Sequence, residues 1–147
     1  MKADSLHGLT EKLSAMRESG TTMSMLFVTV AGTSDGLIAG LGPSGSLQLQ
    51  YVRAGLWDIA RVGRFKSFCR ANELAWKKLQ WESEHVFSAD VGADPELAAD
   101  LFDRCIVAVY GHREPYAIEL RGMDWQPTSG SVAEGATSAR GRKRTLN

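Results

Sequence analysis

The chain has 147 residues, 44% of them hydrophobic and 23% charged, which is enough for one domain with one core. Its 17 Lys and Arg balance 17 Asp and Glu, and two cysteines make no disulfide framework. No apolar run approaches the roughly 20 residues that cross a bilayer, so the sequence reads as a reduced, cytoplasmic protein without a membrane segment.

The first predicted element is a helix from Asp4 to Glu18. Leu6, Leu9, Leu13 and Met16 recur at helical spacing, and Gly20 supplies a stop. Met23 to Ala31 (MSMLFVTVA) is a strand, GTSDG a turn, and Leu37 to Leu41 a second strand. SLQLQYVR (Ser46–Arg53) alternates as a third, with Leu47, Leu49 and Tyr51 on one face and Gln48 and Gln50 on the other.

Between the second and third strands lies GLGPSG (Gly40–Gly45), a letter-for-letter match to G-x-G-x-x-G. That fingerprint needs a helix to open inside the loop, so that a pyrophosphate can rest on its N–H groups. The residues after Gly45 have period two instead. Arg64 and Phe65 stand where an acid is expected about 20 positions on. The stretch therefore reads as a hairpin turn, and no cofactor site is predicted.

GLWDIARVG fits either a fourth strand or the first turn of a helix. From Arg61 to Gln80, Phe65, Phe68, Cys69, Asn72, Trp76 and Leu79 fall on one helical face, with Lys66, Arg70 and Lys77 behind it. WESEHVFSADV (Trp81–Val91) alternates, which puts Trp81, His85 and Phe87 on one face of a single strand. Asp94-Pro95-Glu96 then opens the clearest helix, with an N-cap, a proline at the first turn and an acid at the positive end of the dipole. Leu97, Leu101, Cys105 and Ala108, flanked by Ala98, Phe102 and Val109, give it a broad apolar face, and Gly111 ends it. YAIELR (Tyr116–Arg121) is the last strand.

The predicted fold is α+β, an antiparallel meander sheet packed against two or three helices in a single domain over residues 1–126. Residues 127–147 read as a disordered tail with Arg140, Arg142, Lys143 and Arg144 near its end. Without those four, acids outnumber bases, so the body is not a basic nucleic-acid binder.

The charges are unevenly spread. Arg53, Arg61, Arg64, Lys66, Arg70, Lys77 and Lys78 face only Asp58 and Glu73 in one block. Glu82 to Asp103 is acidic without a single Lys or Arg. Two such blocks either pair, within one molecule or across a homodimer, or remain two solvated faces.

No catalytic constellation appears. His7 belongs to an exposed helix face, His85 to a core or interface, and His112 to the cationic end of a helix. Cys69 and Cys105 lie on apolar stripes and read as buried thiols. With His85 and His112 they lack metal-ligand spacing, so no metal is predicted. Four tryptophans, Trp57, Trp76, Trp81 and Trp125, are many for so small a domain; they either complete the core or serve a binding surface.

ELAWKKLQWESE (Glu73–Glu84) and DPELAADLFDRCIVAVYG (Asp94–Gly111), in their order along the chain, resemble the superfamily of type III secretion chaperones and their YbjN-like relatives, a bacterial group. One strand is legible between the last two helices, where secretion chaperones usually have two. The resemblance implies a non-enzymatic, ATP-independent holder of a protein or peptide segment in an apolar groove. Trp76, Trp81, Phe87 and His85 are the residues expected to line it. The competing expectation is a nucleic-acid accessory protein, with a basic helix over residues 61–78 and the tail over 140–144 on phosphates.

Overall fold

The computed structural model describes residues 1–20, 24–81 and 84–124. The elements run α1 (Ala3–Ser19), β1 (Ser24–Val30), β2 (Gly36–Leu41), β3 (Leu47–Val52), α2 (Ile59–Ala71), β4 (Trp76–Trp81), β5 (Glu84–Gly92), α3 (Pro95–Tyr110) and β6 (Ile118–Asp124). The strands form one antiparallel sheet in the order β4-β5-β3-β2-β1-β6.

Period-two burial builds the sheet. Leu26, Val28 and Val30 of β1, Leu37, Ala39 and Leu41 of β2, and Leu47, Leu49 and Tyr51 of β3 are all buried on one face. The helices cover that face. Leu9, Leu13 and Met16 of α1, Phe65 and Phe68 of α2, and Phe102, Ile106 and Val109 of α3 complete a single core cluster. The opposite face carries half-buried Phe27, Ile38 and Val52 and, among the described residues, no helix.

Helix ends follow the sequence signals. Asp94 Oδ1 accepts from the Glu96 N–H at 3.0 Å, and Pro95 occupies the first turn of α3. Gly20 and Gly111 close α1 and α3 in the left-handed region, at φ 67° and 76°. Of the broad apolar face expected for α3, Ala98, Leu101, Phe102, Cys105 and Val109 are buried, whereas Leu97 and Ala108 at its edge are exposed.

The chief departure lies between residues 72 and 83. No helix runs from Arg61 to Gln80. α2 ends at Ala71, where the Asn72 side-chain amide donates to the Phe68 carbonyl at 2.9 Å. Glu73 then takes φ 55° and reverses the chain into β4. The ambiguous segment before α2 is a turn that leads into its first residue, Ile59. GLGPSG is the β2–β3 hairpin, closed by Gly42 N–H to the Ser46 carbonyl at 2.8 Å. Residues 125–147, with Trp125 and the basic tail, lie outside the described residues.

Candidate functional site

β4 is an edge strand, and its ladder to β5 fixes which way its backbone points. The Asp90 N–H donates to the Ala75 carbonyl at 3.2 Å, and the register pairs Lys77 with Ser88 and Leu79 with Val86. Alternation then directs the backbone groups of Lys77 and Leu79 toward β5, and those of Trp76 and Lys78 away from the sheet. The edge is short and carries two lysines, devices that oppose indiscriminate strand pairing.

At the start of this edge stands Trp76, 40% exposed. Its ring centroid lies 5.9 Å from that of Phe87, and the Lys66 ammonium sits 5.1 Å from the Trp76 ring and 5.3 Å from the Phe87 ring. A large indole is thus propped on the core and held under a cation while one side stays open.

The expected groove residues divide accordingly. Trp76 and Phe87 touch, but Phe87 is buried and belongs to the core. His85 is half-buried two positions along β5, and its Nδ1 is buried without a hydrogen-bond partner. Trp81 does not begin the strand that holds His85. It ends β4, paired with Glu84 of β5, and its side chain lies outside the described residues. The proposed basic helix over 61–78 is corrected too: Lys77 and Lys78 are on the strand, not on α2.

Two open hollows flank the sheet. One, of about 400 Å³, adjoins β4 on the face without helices, with Lys77, Leu79, Gln48, Gln50 and Ser88 in its walls. A relay crosses its floor from the acceptor-only Asp90 carboxylate. Ser46 donates to Asp90 and Gln48 Nε2 to Ser46; Ser88 donates to Gln48 Oε1 and Gln50 Nε2 to Ser88. The other, of about 380 Å³, lies at the sheet end beside Asp35, Arg61, Tyr51 and Tyr110. Here His112 Nε2 is 2.8 Å from Asp35 Oδ2, so this histidine is engaged by the β1–β2 turn rather than only following a helix end. The Arg61 guanidinium lies 4.8 Å from the Tyr110 ring centroid.

The titratable groups are set against nucleophilic chemistry. Burial pushes the Cys69 thiol up to about 11, and burial with Cys69 nearby raises Cys105 further. A reactive thiolate needs the opposite shift. Burial first, and the Asp58 hydrogen bond second, raise the Tyr51 phenol. Among the described residues no group of three His, Cys, Asp or Glu could hold a metal ion.

A second feature was hidden in the sequence. Leu56 and Trp57 are each 81% exposed and Ile59 is 70% exposed, on the loop that enters α2. Sequence pattern alone cannot separate such residues from core residues. The loop is well held. Arg53 Nε donates to the Gly55 carbonyl at 2.8 Å and its Nη2 to the Leu56 carbonyl at 3.0 Å. Buried Asp58 accepts from the Tyr51 hydroxyl and from the Ala54 N–H.

No family model matches the chain, and no match was found among curated proteins or solved structures. Among the described residues no helix is long and apolar enough to cross a membrane. The molecule is an α+β protein with a helix layer on one face of an open antiparallel sheet.

Proposed function

We propose that the protein is a non-enzymatic binding module that holds an extended segment of a partner protein along the β4 edge, as an ATP-independent chaperone-like protein. The observation that carries this reading is the half-open Trp76 indole beside outward-pointing backbone groups of an edge strand. A peptide strand would take up the backbone groups of Trp76 and Lys78 and lay an apolar side chain on the indole. Lys66, Lys77 and Lys78 favour acidic residues in the flanks of that segment. The element order, with two strands between the last two helices, agrees with the likeness to secretion chaperones, and β6 is an addition to it. Two buried thiols suit a reducing, cytoplasmic setting.

The test is selection of peptides from a random displayed library against the immobilised protein, followed by titration of a winner into isotope-labelled protein. The amides of Trp76 and Lys78 and the Trp76 indole are expected to shift. Lys78→Pro removes an outward donor but no β4–β5 ladder bond, so it should abolish binding while the fold persists. Selection without winners, or binding indifferent to both Lys78→Pro and Trp76→Ala, rules the reading out.

A further inference from the structure

Leu56, Trp57 and Ile59 are more exposed than any other large apolar side chain among the described residues. They are presented, not loose. The Trp57 ring lies back on Gly55, where a Cβ would stand 2.7 Å from it. The turn beneath is pinned by the Arg53 guanidinium on the Gly55 and Leu56 carbonyls, and by the Asp58 N–H to the Gly55 carbonyl at 3.1 Å. Little ordering remains to be done when a partner arrives.

The same end of the molecule is basic. From Ile59 to Ala71, α2 has no acidic residue and carries Arg61, Arg64, Lys66 and Arg70. Among the described residues no ion pair joins the basic block to the acidic one. Arg53 and Arg64 place their donors on backbone carbonyls, Arg64 on that of Val109 at 2.9 Å. A carbonyl satisfies an N–H but leaves the positive charge standing. Nearby acids are engaged or set back. Asp58 is buried and accepts from Tyr51, Asp35 lies 2.8 Å from His112 and 3.8 Å from Arg61, and Glu84 lines the hollow behind the turn. Arg64 reaches Val109 near the end of α3, and Arg104 Nη1 donates to Asn72 Oδ1, beyond the end of α2, at 2.6 Å, so these two helices run antiparallel. Asp94 and Glu96, at the start of α3, are therefore about 20 Å away along that helix. That is well beyond the ~8 Å over which exposed charges act in physiological salt.

We propose that this end of the protein docks on an anionic lipid bilayer, with Leu56, Trp57 and Ile59 set among the headgroups and Arg53 and Arg64 on lipid phosphates. An indole suits the headgroup depth, leucine and isoleucine the acyl boundary beneath it, and arginine the phosphate oxygens. Ala60 and Gly63, both exposed, put no bulk on the first turns of α2 that would hold them off the surface. Leucine and isoleucine offer a nucleic acid no ring to stack on and no group to pair with, so three exposed apolar side chains favour lipid over RNA or DNA. The contact is peripheral and reversible, because stable anchoring takes stronger signals than one short apolar tip and a few charges. It uses neither Trp76 nor the β4 backbone, so it stands or falls apart from the peptide reading.

Co-sedimentation of the full chain with vesicles tests it. The protein should pellet with phosphatidylcholine and phosphatidylserine mixed roughly two to one, and far less with phosphatidylcholine alone. Trp57→Ala should weaken binding roughly tenfold or more. Ala60→Glu should weaken it roughly fivefold, through one repelled charge at the surface. Its thermal denaturation should be unchanged or raised, because an acid in the first turn of a helix is stabilising. Failure to pellet with the mixed vesicles overturns the proposal, and retention of polyuridylate in their place would assign the basic helix to nucleic acid. Vesicle binding that both variants leave intact also overturns it, since the basic tail would then suffice. Should Trp57→Ala lose its helical circular dichroism, Ala60→Glu decides alone, at an exposed position.

Discussion

Replacing Glu73 by glycine separates the two ways in which residues 61–80 could fold, because they predict opposite signs. Glu73 sits at φ 55° with its side chain exposed and only its N–H engaged, at 3.2 Å to the Arg70 carbonyl. An L-residue in that conformation costs roughly 1–2 kcal/mol. Glycine relieves the strain but gives back about 0.4–1 kcal/mol through the greater freedom of its unfolded chain. Glu73→Gly should therefore stabilise the fold by about 0.5–1 kcal/mol, or about 2–4 °C in Tm for a domain of this size. In a continuous helix the same change would cost about 1 kcal/mol. Ser67→Gly, at an exposed position within α2, is the matched control and should lose about 0.5 kcal/mol. Thermal and urea denaturation of the two variants beside the natural chain read both signs. A Glu73→Gly variant destabilised as much as the control would refute the turn.

Two further predictions concern the core. Gly36 of β2 pairs with Thr29 of β1, and a Cβ there would stand 2.4 Å from the Val28 carbonyl oxygen. Gly36→Ala should cost about 1–3 kcal/mol in urea denaturation, and an unchanged midpoint would contradict the β1–β2 register. All three tyrosines, Tyr51, Tyr110 and Tyr116, have their phenols raised, chiefly by burial; Tyr110 is pushed up from 10.0 to about 12. A raised folded-state value means that the neutral phenol is favoured by the fold. Its stabilisation is complete below pH 10 and is lost as the pH rises toward 12. Phenolate absorbance should be nearly absent at pH 10 and appear together with unfolding; half-ionisation at pH 10 in a folded protein would show that the phenols are not so enclosed.

Much of the fold was legible because its signals are local. Strand-favouring composition marked β1, flanking turns marked β2, alternation marked β3, and Asp94, Pro95 and Gly111 marked both ends of α3. The α2–β4 boundary was not legible for a physical reason. Phe65, Phe68, Cys69, Asn72, Trp76 and Leu79 keep helical spacing across it, and neither glycine nor proline stands at the break. The stop is made by Asn72 bonding back to Phe68 and by a glutamate in an uncommon backbone conformation. The same error merged Trp81 with the strand after it. Asp35 and His112 lie 77 positions apart, and no spacing rule brings such a pair together.

The candidate site was half visible. Aromatic content singled out Trp76 and Phe87, and they do touch. Their different burial, one propped open and the other sealed, depends on β4 being an edge, which only the strand order reveals. The exposure of Leu56, Trp57 and Ile59 depends likewise on Arg53 and Asp58 holding the loop away from the core.

The most direct measurement is an isotope-edited nuclear Overhauser spectrum of labelled protein with an unlabelled selected peptide. A peptide strand docked on the sheet should give backbone-to-backbone contacts to Trp76 and Lys78 and side-chain contacts to the Trp76 ring. Contacts confined to the face that bears Gln48 and Ser88, with none to the β4 backbone, would contradict strand addition at this edge.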